Sequence, residues 1–97
     1  MFCLAASNET AFISHPTQLL CALAGNKRTD WMYQNSQHSV RQRISVNGTV
    51  ESEDVGRYTV DGSSLIINQV KASDAGVYIC GHGSRLFHKL QLDVFGV

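Results

Sequence analysis

The sequence has no excess of charge and no long apolar run, and each absence excludes a class of partner. Its 97 residues carry 8 lysines and arginines against 8 aspartates and glutamates, for a formal net charge of zero. A neutral chain has no electrostatic attraction to nucleic acid or to anionic lipid. No apolar run approaches the ~20 residues that span a bilayer. We therefore expect neither nucleic-acid binding nor membrane insertion by this domain.

Features that support catalysis or cofactor binding are also missing. No glycine-rich loop follows a strand and opens a helix, so nucleotide binding has no support. The four histidines are His15, His38, His82 and His88. His82 and His88 lie on either side of one loop, but no carboxylates or thiolates occur near them at the spacing of a zinc site. No segment resembles the nucleophile elbow of a hydrolase. We expect no enzyme, no metal and no cofactor.

Helical periodicity is missing too, and short β-type runs separated by turn residues take its place. The single proline, Pro16, lies between two such runs. Asn47-Gly48 and Asp61-Gly62 are hairpin signals. Eight or nine short strands with frequent turns predict one all-β sandwich domain over residues 1–97. The runs are Ala11–Ile13, Gln18–Leu23, Asp30–Gln34, Val40–Val46, Val55–Val60, Ser64–Ile67, Val77–His82 and Lys89–Val94.

The most specific segment is Asp74-Ala75-Gly76-Val77-Tyr78-Ile79-Cys80. Gly76 lets the chain turn without a Cβ clash, and strand alternation puts Tyr78 and Cys80 on one face. A tyrosine two residues before a buried half-cystine is typical of the tyrosine corner of immunoglobulin sandwiches. Together with Cys21, Trp31 and Leu65, the segment resembles the immunoglobulin superfamily over nearly the whole chain.

The resemblance implies an immunoglobulin-like β-sandwich of two antiparallel sheets with Greek-key connections. It also implies a Cys21–Cys80 disulfide with Trp31 packed on it, a cross-link that contributes about 4 kcal/mol by loop-closure entropy. The long stretch between Trp31 and Arg57 leaves room for the extra edge strands of the variable type, and Arg57 matches the arginine that pairs with the corner aspartate, here Asp74.

One feature of antigen-receptor variable domains is absent. Those domains begin the last strand with Phe-Gly-x-Gly, whose bulge twists the edge. The stretch Gly83–His88 lacks this motif, and Phe95-Gly96 does not complete it. Innate immune-type receptors are therefore as close a resemblance as antigen receptors.

The resemblance and the sequence motifs indicate an extracellular protein, secreted or on the cell surface. A structural disulfide needs an oxidising compartment, and the sequons at Asn8 and Asn47 are acceptors for N-glycosylation. The role of Cys3 stays open among an interchain bridge, a buried free thiol and a consequence of where the sequence was cut.

Strand parity predicts an outward sheet face with apolar and aromatic members, and immunoglobulin domains commonly associate through that face. Phe87 belongs to it only if no bulge intervenes. Two arginines on a strand near the edge either form a solvated face that prevents edge pairing or border an interface. The expected interface residues are Met32, Gln34, Arg41, Arg43, Ile79, Phe87 and Gln91.

These features predict a non-catalytic recognition domain of an immune-type receptor that binds a protein partner. The binding surface is either the outward face, through which the domain forms a homodimer, or the loops at one end (Gly25–Thr29, Val46–Glu53 and His82–Phe87). The alternative is a homophilic cell-adhesion module. The candidate loop residues are Asn26, Lys27, Arg28, His82, Ser84 and Arg85.

Overall fold

The computed structural model describes residues 5–21, 29–34, 41–51, 56–82 and 85–96, and within these ranges the chain forms nine strands. A single turn of 3₁₀ helix, Ala72–Asp74, precedes the eighth strand. The strands are β1 (Ala5–Phe12), β2 (Thr17–Leu20), β3 (Asp30–Gln34), β4 (Arg41–Val46), β5 (Thr49–Val50), β6 (Tyr58–Asp61), β7 (Ser64–Ile67), β8 (Gly76–His82) and β9 (Arg85–Phe95).

These strands form two sheets, as the all-β prediction requires. The larger has the order β1-β9-β8-β3-β4-β5, and the smaller has the order β2-β7-β6. Strands β4 and β5 are the edge strands for which the stretch after Trp31 left room. The expectation of purely antiparallel sheets is wrong at one edge, because β1 pairs with β9 in parallel. The chain then passes Pro16, which cannot donate to a ladder, and enters the smaller sheet at β2.

The core lies between the two sheets and takes alternate side chains from each. On β9 the inward side chains Leu90 and Leu92 are fully buried, and the partly buried Val94 packs against the core. The buried cluster consists of Ala11, Leu19, Cys21, Trp31, Ile44, Leu65, Ile67, Val70, Tyr78, Cys80, Leu90 and Leu92.

The two ends of the described chain form longer strands than their hydrophobic pattern predicts. The run Ala11–Ile13 is only the end of β1, whose earlier residues are mostly polar, and β9 extends beyond Lys89–Val94 in both directions. Backbone pairing between these two strands, rather than apolar alternation, sets the length of β1, because β1 is an edge strand and buries few side chains. The run Val55–Val60 is also displaced, since β6 spans Tyr58–Asp61.

Both predicted hairpins form, one of them shifted by a residue. Asn47 and Gly48 join β4 to β5 with φ values of 51° and 84°, the left-handed pair that a type I′ turn requires. In the second hairpin Asp61 pairs with Ser64, so Gly62-Ser63 forms the turn instead of Asp61-Gly62. Gly62 has a φ of 60° at the first central position.

Candidate functional site

A disulfide connects the two sheets at the centre of the core. The bond joins Cys21, directly after β2, to Cys80 in β8, with their Cα atoms 6.0 Å apart. Trp31 on β3 is fully buried in the same cluster and pairs with Cys80 across the ladder. The disulfide prediction is confirmed, and it fixes which faces of β2 and β8 point inward.

The corner before β8 is held by a hydrogen bond from a buried phenol. The Tyr78 hydroxyl donates to the backbone oxygen of Asp74 at 2.7 Å. Gly76 is needed twice here, since its φ is 146° and a Cβ would lie 2.9 Å from atoms of the Tyr33 ring and hydroxyl. The glycine therefore permits both the corner and the close approach of a second tyrosine.

Asp74 joins this corner to the strand region before β6. Its carboxylate is 3% exposed and accepts from one Arg57 guanidinium nitrogen at 2.7 and 2.9 Å, and from the Lys71 backbone N–H at 2.7 Å. The hydrogen bond to Asp74 raises the pKa of Arg57 above its usual range. The predicted pair forms, and a single guanidinium nitrogen bridges both carboxylate oxygens. The guanidinium carbon lies 5.1 Å from the centroid of the Tyr58 ring.

Tyr33 is a corner residue that sequence reasoning missed. Its hydroxyl lies 2.6 Å from the Ala75 oxygen and 3.2 Å from the Ser73 oxygen, and its ring centroid is 5.0 Å from that of Tyr78. The available signal was parity, because Tyr33 shares the inward face of β3 with Trp31.

Burial raises the pKa of Tyr78 well above the usual value near 10, and this gives the fold a specific alkaline limit. In the unfolded chain the phenol ionises near pH 10, whereas in the folded protein it stays protonated. Stability from Tyr78 is therefore complete below about pH 10 and falls above it, by about 1.4 kcal/mol per pH unit. Urea unfolding between about pH 8 and about pH 11 should show this slope as a fall in the free energy of unfolding.

The variant Tyr78→Phe should be less stable at neutral pH by about 1 kcal/mol, the value of one hydrogen bond, and should lose this part of the alkaline slope. Tyr58→Phe, which removes a half-buried tyrosine, is the matched control and should retain the slope. Parallel pH dependences for wild type and Tyr78→Phe would contradict the assignment.

The outer face of the larger sheet, which turns away from the core, is crossed by two rows of residues in register. The upper row is Arg43, Met32, Ile79, Lys89 and Ala6, and the lower row is Arg41, Gln34, Val77, Gln91 and Asn8. Arg43 and Lys89 are exposed, whereas Met32, Gln34 and Gln91 are half-buried. The rows thus combine a mixed apolar and amide centre with cations beside it.

Ile79 lies at the centre of this face and is almost completely covered. Its side chain is 1% exposed, yet it is absent from the cluster that contains its neighbours Tyr78 and Cys80. Strand alternation therefore still places it on the outer face. Its register partners Met32 and Lys89 carry long side chains on either side, and such cross-strand neighbours cover a residue in a central strand. Ile79 therefore packs beneath the side chains that form the surface of this face.

The condition attached to Phe87 is not met, because the register shifts there. Cys80 pairs with His88 and Gly81 pairs with Leu86, which leaves Phe87 as the extra residue in β9. The irregularity that Phe-Gly-x-Gly would supply is therefore present without the motif. Gly81 accommodates it, since a Cβ at that position would overlap the backbone oxygen of Arg85.

Comparison with known families decides the assignment of this frame. A family model of the immunoglobulin V-set domain matches residues 10–95. The chain belongs to the V-set immunoglobulin family. No curated protein matches its sequence. V-set domains are recognition modules, and the cross-sheet disulfide of this V-set domain is typical of extracellular proteins.

Two of the three end loops predicted for this V-set domain are partly paired strand. Strand β8 continues through His82 and β9 begins at Arg85, where the two residues pair, so most of the predicted loop His82–Phe87 is ladder. The loop Val46–Glu53 likewise contains the β4–β5 hairpin. The remaining candidates Asn26, Lys27, Arg28 and Ser84 lie outside the described residues.

His82 and His88 of the V-set domain lie in different environments. His82 is exposed at the hairpin end, whereas His88 is buried and links three strands. A carbonyl oxygen can only accept, so His88 Nδ1 donates to the Leu20 oxygen at 3.1 Å, and Nε2 lies 2.8 Å from the Ser7 hydroxyl. In the described ranges no three histidine, cysteine, aspartate or glutamate side chains are grouped as a metal ion requires. Among the same residues, no helix is long and apolar enough to cross a membrane.

Proposed function

We propose that this V-set domain is the non-catalytic extracellular recognition domain of an immune-type receptor, and that it self-associates through the outer face of its six-stranded sheet. The observation that carries this proposal is the composition of the two rows. Half-buried Met32 pairs with the covered Ile79, and half-buried Gln34 lies in the next row. The exposed cations Arg43 and Lys89 lie in the same row as Met32. An apolar and amide centre with a charged rim is the usual anatomy of a protein interface.

A charge placed at the centre of the face should weaken self-association. Met32→Arg puts a cation in each copy of a row that already holds Arg43 and Lys89, so two copies repel one another. We expect the dimer dissociation constant to rise by about tenfold or more in sedimentation equilibrium, for a loss of about 1.4 kcal/mol. Gln18→Arg, an exposed position on the smaller sheet, adds the same charge elsewhere and is the matched control.

A strictly monomeric wild type at high micromolar concentration, or equal dimerisation by both arginine variants, would contradict the proposal. Salt distinguishes self-association from capture of an acidic partner. Cations in both copies repel less at high ionic strength, so the homodimer tightens with added salt, whereas a complex with an acidic protein weakens.

A homophilic adhesion module is the second candidate, and one observation favours it. Phe12, Ile13 and Phe95 are exposed by 58%, 37% and 55% at the end of the β1–β9 pair, where the two phenylalanine ring centroids lie 6.5 Å apart. A neighbouring domain in a tandem array would cover this apolar cluster. Beads coated with the single domain should clump if copies on opposing surfaces bind one another. They should stay dispersed if the domain dimerises only with copies on the same surface.

A further inference from the structure

The sequon Asn8-Glu9-Thr10 lies within a strand of the sheet that carries the outer face, and its orientation is fixed by its neighbours. Ser7 points inward to His88, and Ala11 is buried in the core. Asn8 alternates with both, so it points outward. It pairs in register with Gln91 and ends the lower row of the face.

The surface beside Asn8 is a shallow hollow on the same face. Its volume is about 380 Å³, and it is lined by Ala6, Ser7, Asn8, Val77, Lys89 and Gln91. Five of these residues, all except Ser7, belong to the two rows. The first sugar of a glycan on Asn8 would therefore lie against the residues that a second copy of the domain would cover.

The Asn8 side chain is free to be modified. It is exposed and makes no hydrogen bond with the described part of the chain. In the transfer reaction, Asn8 Nδ2 forms a bond to C1 of the sugar of a lipid diphosphate-linked oligosaccharide, the lipid diphosphate leaves, and the amide loses one proton. The reaction acts on the nascent chain before it folds, so the position of Asn8 within β1 of the folded domain does not prevent it.

We propose that an N-linked glycan on Asn8 covers the β9 half of the outer face and keeps the domain monomeric, so that occupancy of this single site controls self-association. The inference rests on the proposed function, since it regulates the same face. The second sequon lacks this property. Asn47 is at the tip of the β4–β5 turn, outside both rows, where its backbone N–H donates to an Asp30 carboxylate oxygen at 2.6 Å.

The test compares four proteins secreted from eukaryotic cells: wild type, Asn8→Gln, Thr10→Ala and Asn47→Gln. Mass spectrometry measures the occupancy of each site, and sedimentation equilibrium measures the dimer dissociation constant. We expect Asn8→Gln and Thr10→Ala, which remove the same glycan by different substitutions, to dimerise about tenfold more tightly than wild type or more. Asn47→Gln should match wild type.

The outcomes separate this inference from the proposed function. Wild type with a fully occupied Asn8 and a dissociation constant equal to that of Asn8→Gln would overturn the glycan control alone. An unoccupied Asn8 would overturn it as well. Dimers of Asn8→Gln that survive the added Met32→Arg substitution would overturn the assigned face. A monomeric Asn8→Gln would refute self-association itself, and the glycan control with it.

Discussion

Replacing both Cys21 and Cys80 with alanine should cost this domain about 2–5 kcal/mol of unfolding free energy, the largest effect of any change considered. The bond closes a long loop, with a sequence separation of 59, and it connects the two sheets through a core that is thin in a domain of this size. A small domain has only about 5–15 kcal/mol in total, so the double variant should be largely unfolded at 37 °C.

Urea unfolding followed by tryptophan fluorescence measures this loss, because Trp31 is the only tryptophan and is fully buried near the bond. Cys3→Ala leaves the cross-sheet disulfide intact and should unfold within about 0.5 kcal/mol of wild type. A double variant that unfolds within about 1 kcal/mol of wild type would show that packing alone holds the sheets together.

Arg57→Ala should be the next most damaging change, at about 3 kcal/mol. The reason is asymmetric burial. Asp74 is 3% exposed, so the loss of its partner leaves a buried carboxylate that still accepts from the Lys71 N–H, whereas the Arg57 side chain is 34% exposed. Denaturation midpoints at neutral pH provide the measurement.

Lysine is an informative second substitution at this position. One guanidinium nitrogen makes both contacts to Asp74, and a lysine ammonium can reproduce a single bridging nitrogen. Arg57→Lys should therefore lose about half as much unfolding free energy as Arg57→Ala, mainly through the lost contact with the Tyr58 ring. Arg43→Ala, an exposed arginine on the outer face, is the control and should fall within about 0.5 kcal/mol of wild type. Equal losses for Arg57→Ala and Arg43→Ala would contradict the argument.

The parts of this structure that the sequence predicts are those fixed by strongly restricted residues. Cys21, Trp31, Tyr78 and Cys80 each require burial and a specific partner, and their spacing suffices to place two sheets and the inward face of three strands. The Asn47-Gly48 turn is similarly predictable, because few residue pairs accept two positive φ values.

The parts that escape prediction depend on neighbours that are distant in the chain. The burial of Ile79 follows from side chains on two other strands, and the alternating pattern of β8 contains no information about them. The shift at Phe87 depends on how β9 aligns with β8, which local composition leaves open. The hydrogen bond between Ser7 and His88 joins residues 81 positions apart. Ser7 belongs to β1, which is too polar to be recognised by hydrophobic alternation.

The parallel pairing of β1 with β9 also has a mechanical consequence. Eight residues of β1, from Ala5 to Phe12, pair along β9 in the same chain direction. A pull on the start of β1 against the end of β9 acts along both strands in opposite directions, so the ladder is loaded in shear and its hydrogen bonds resist together. An antiparallel pair pulled at its open end would instead separate one bond at a time. A V-set domain pulled at these two points is therefore held together by the strand pair that its hydrophobic pattern describes least well.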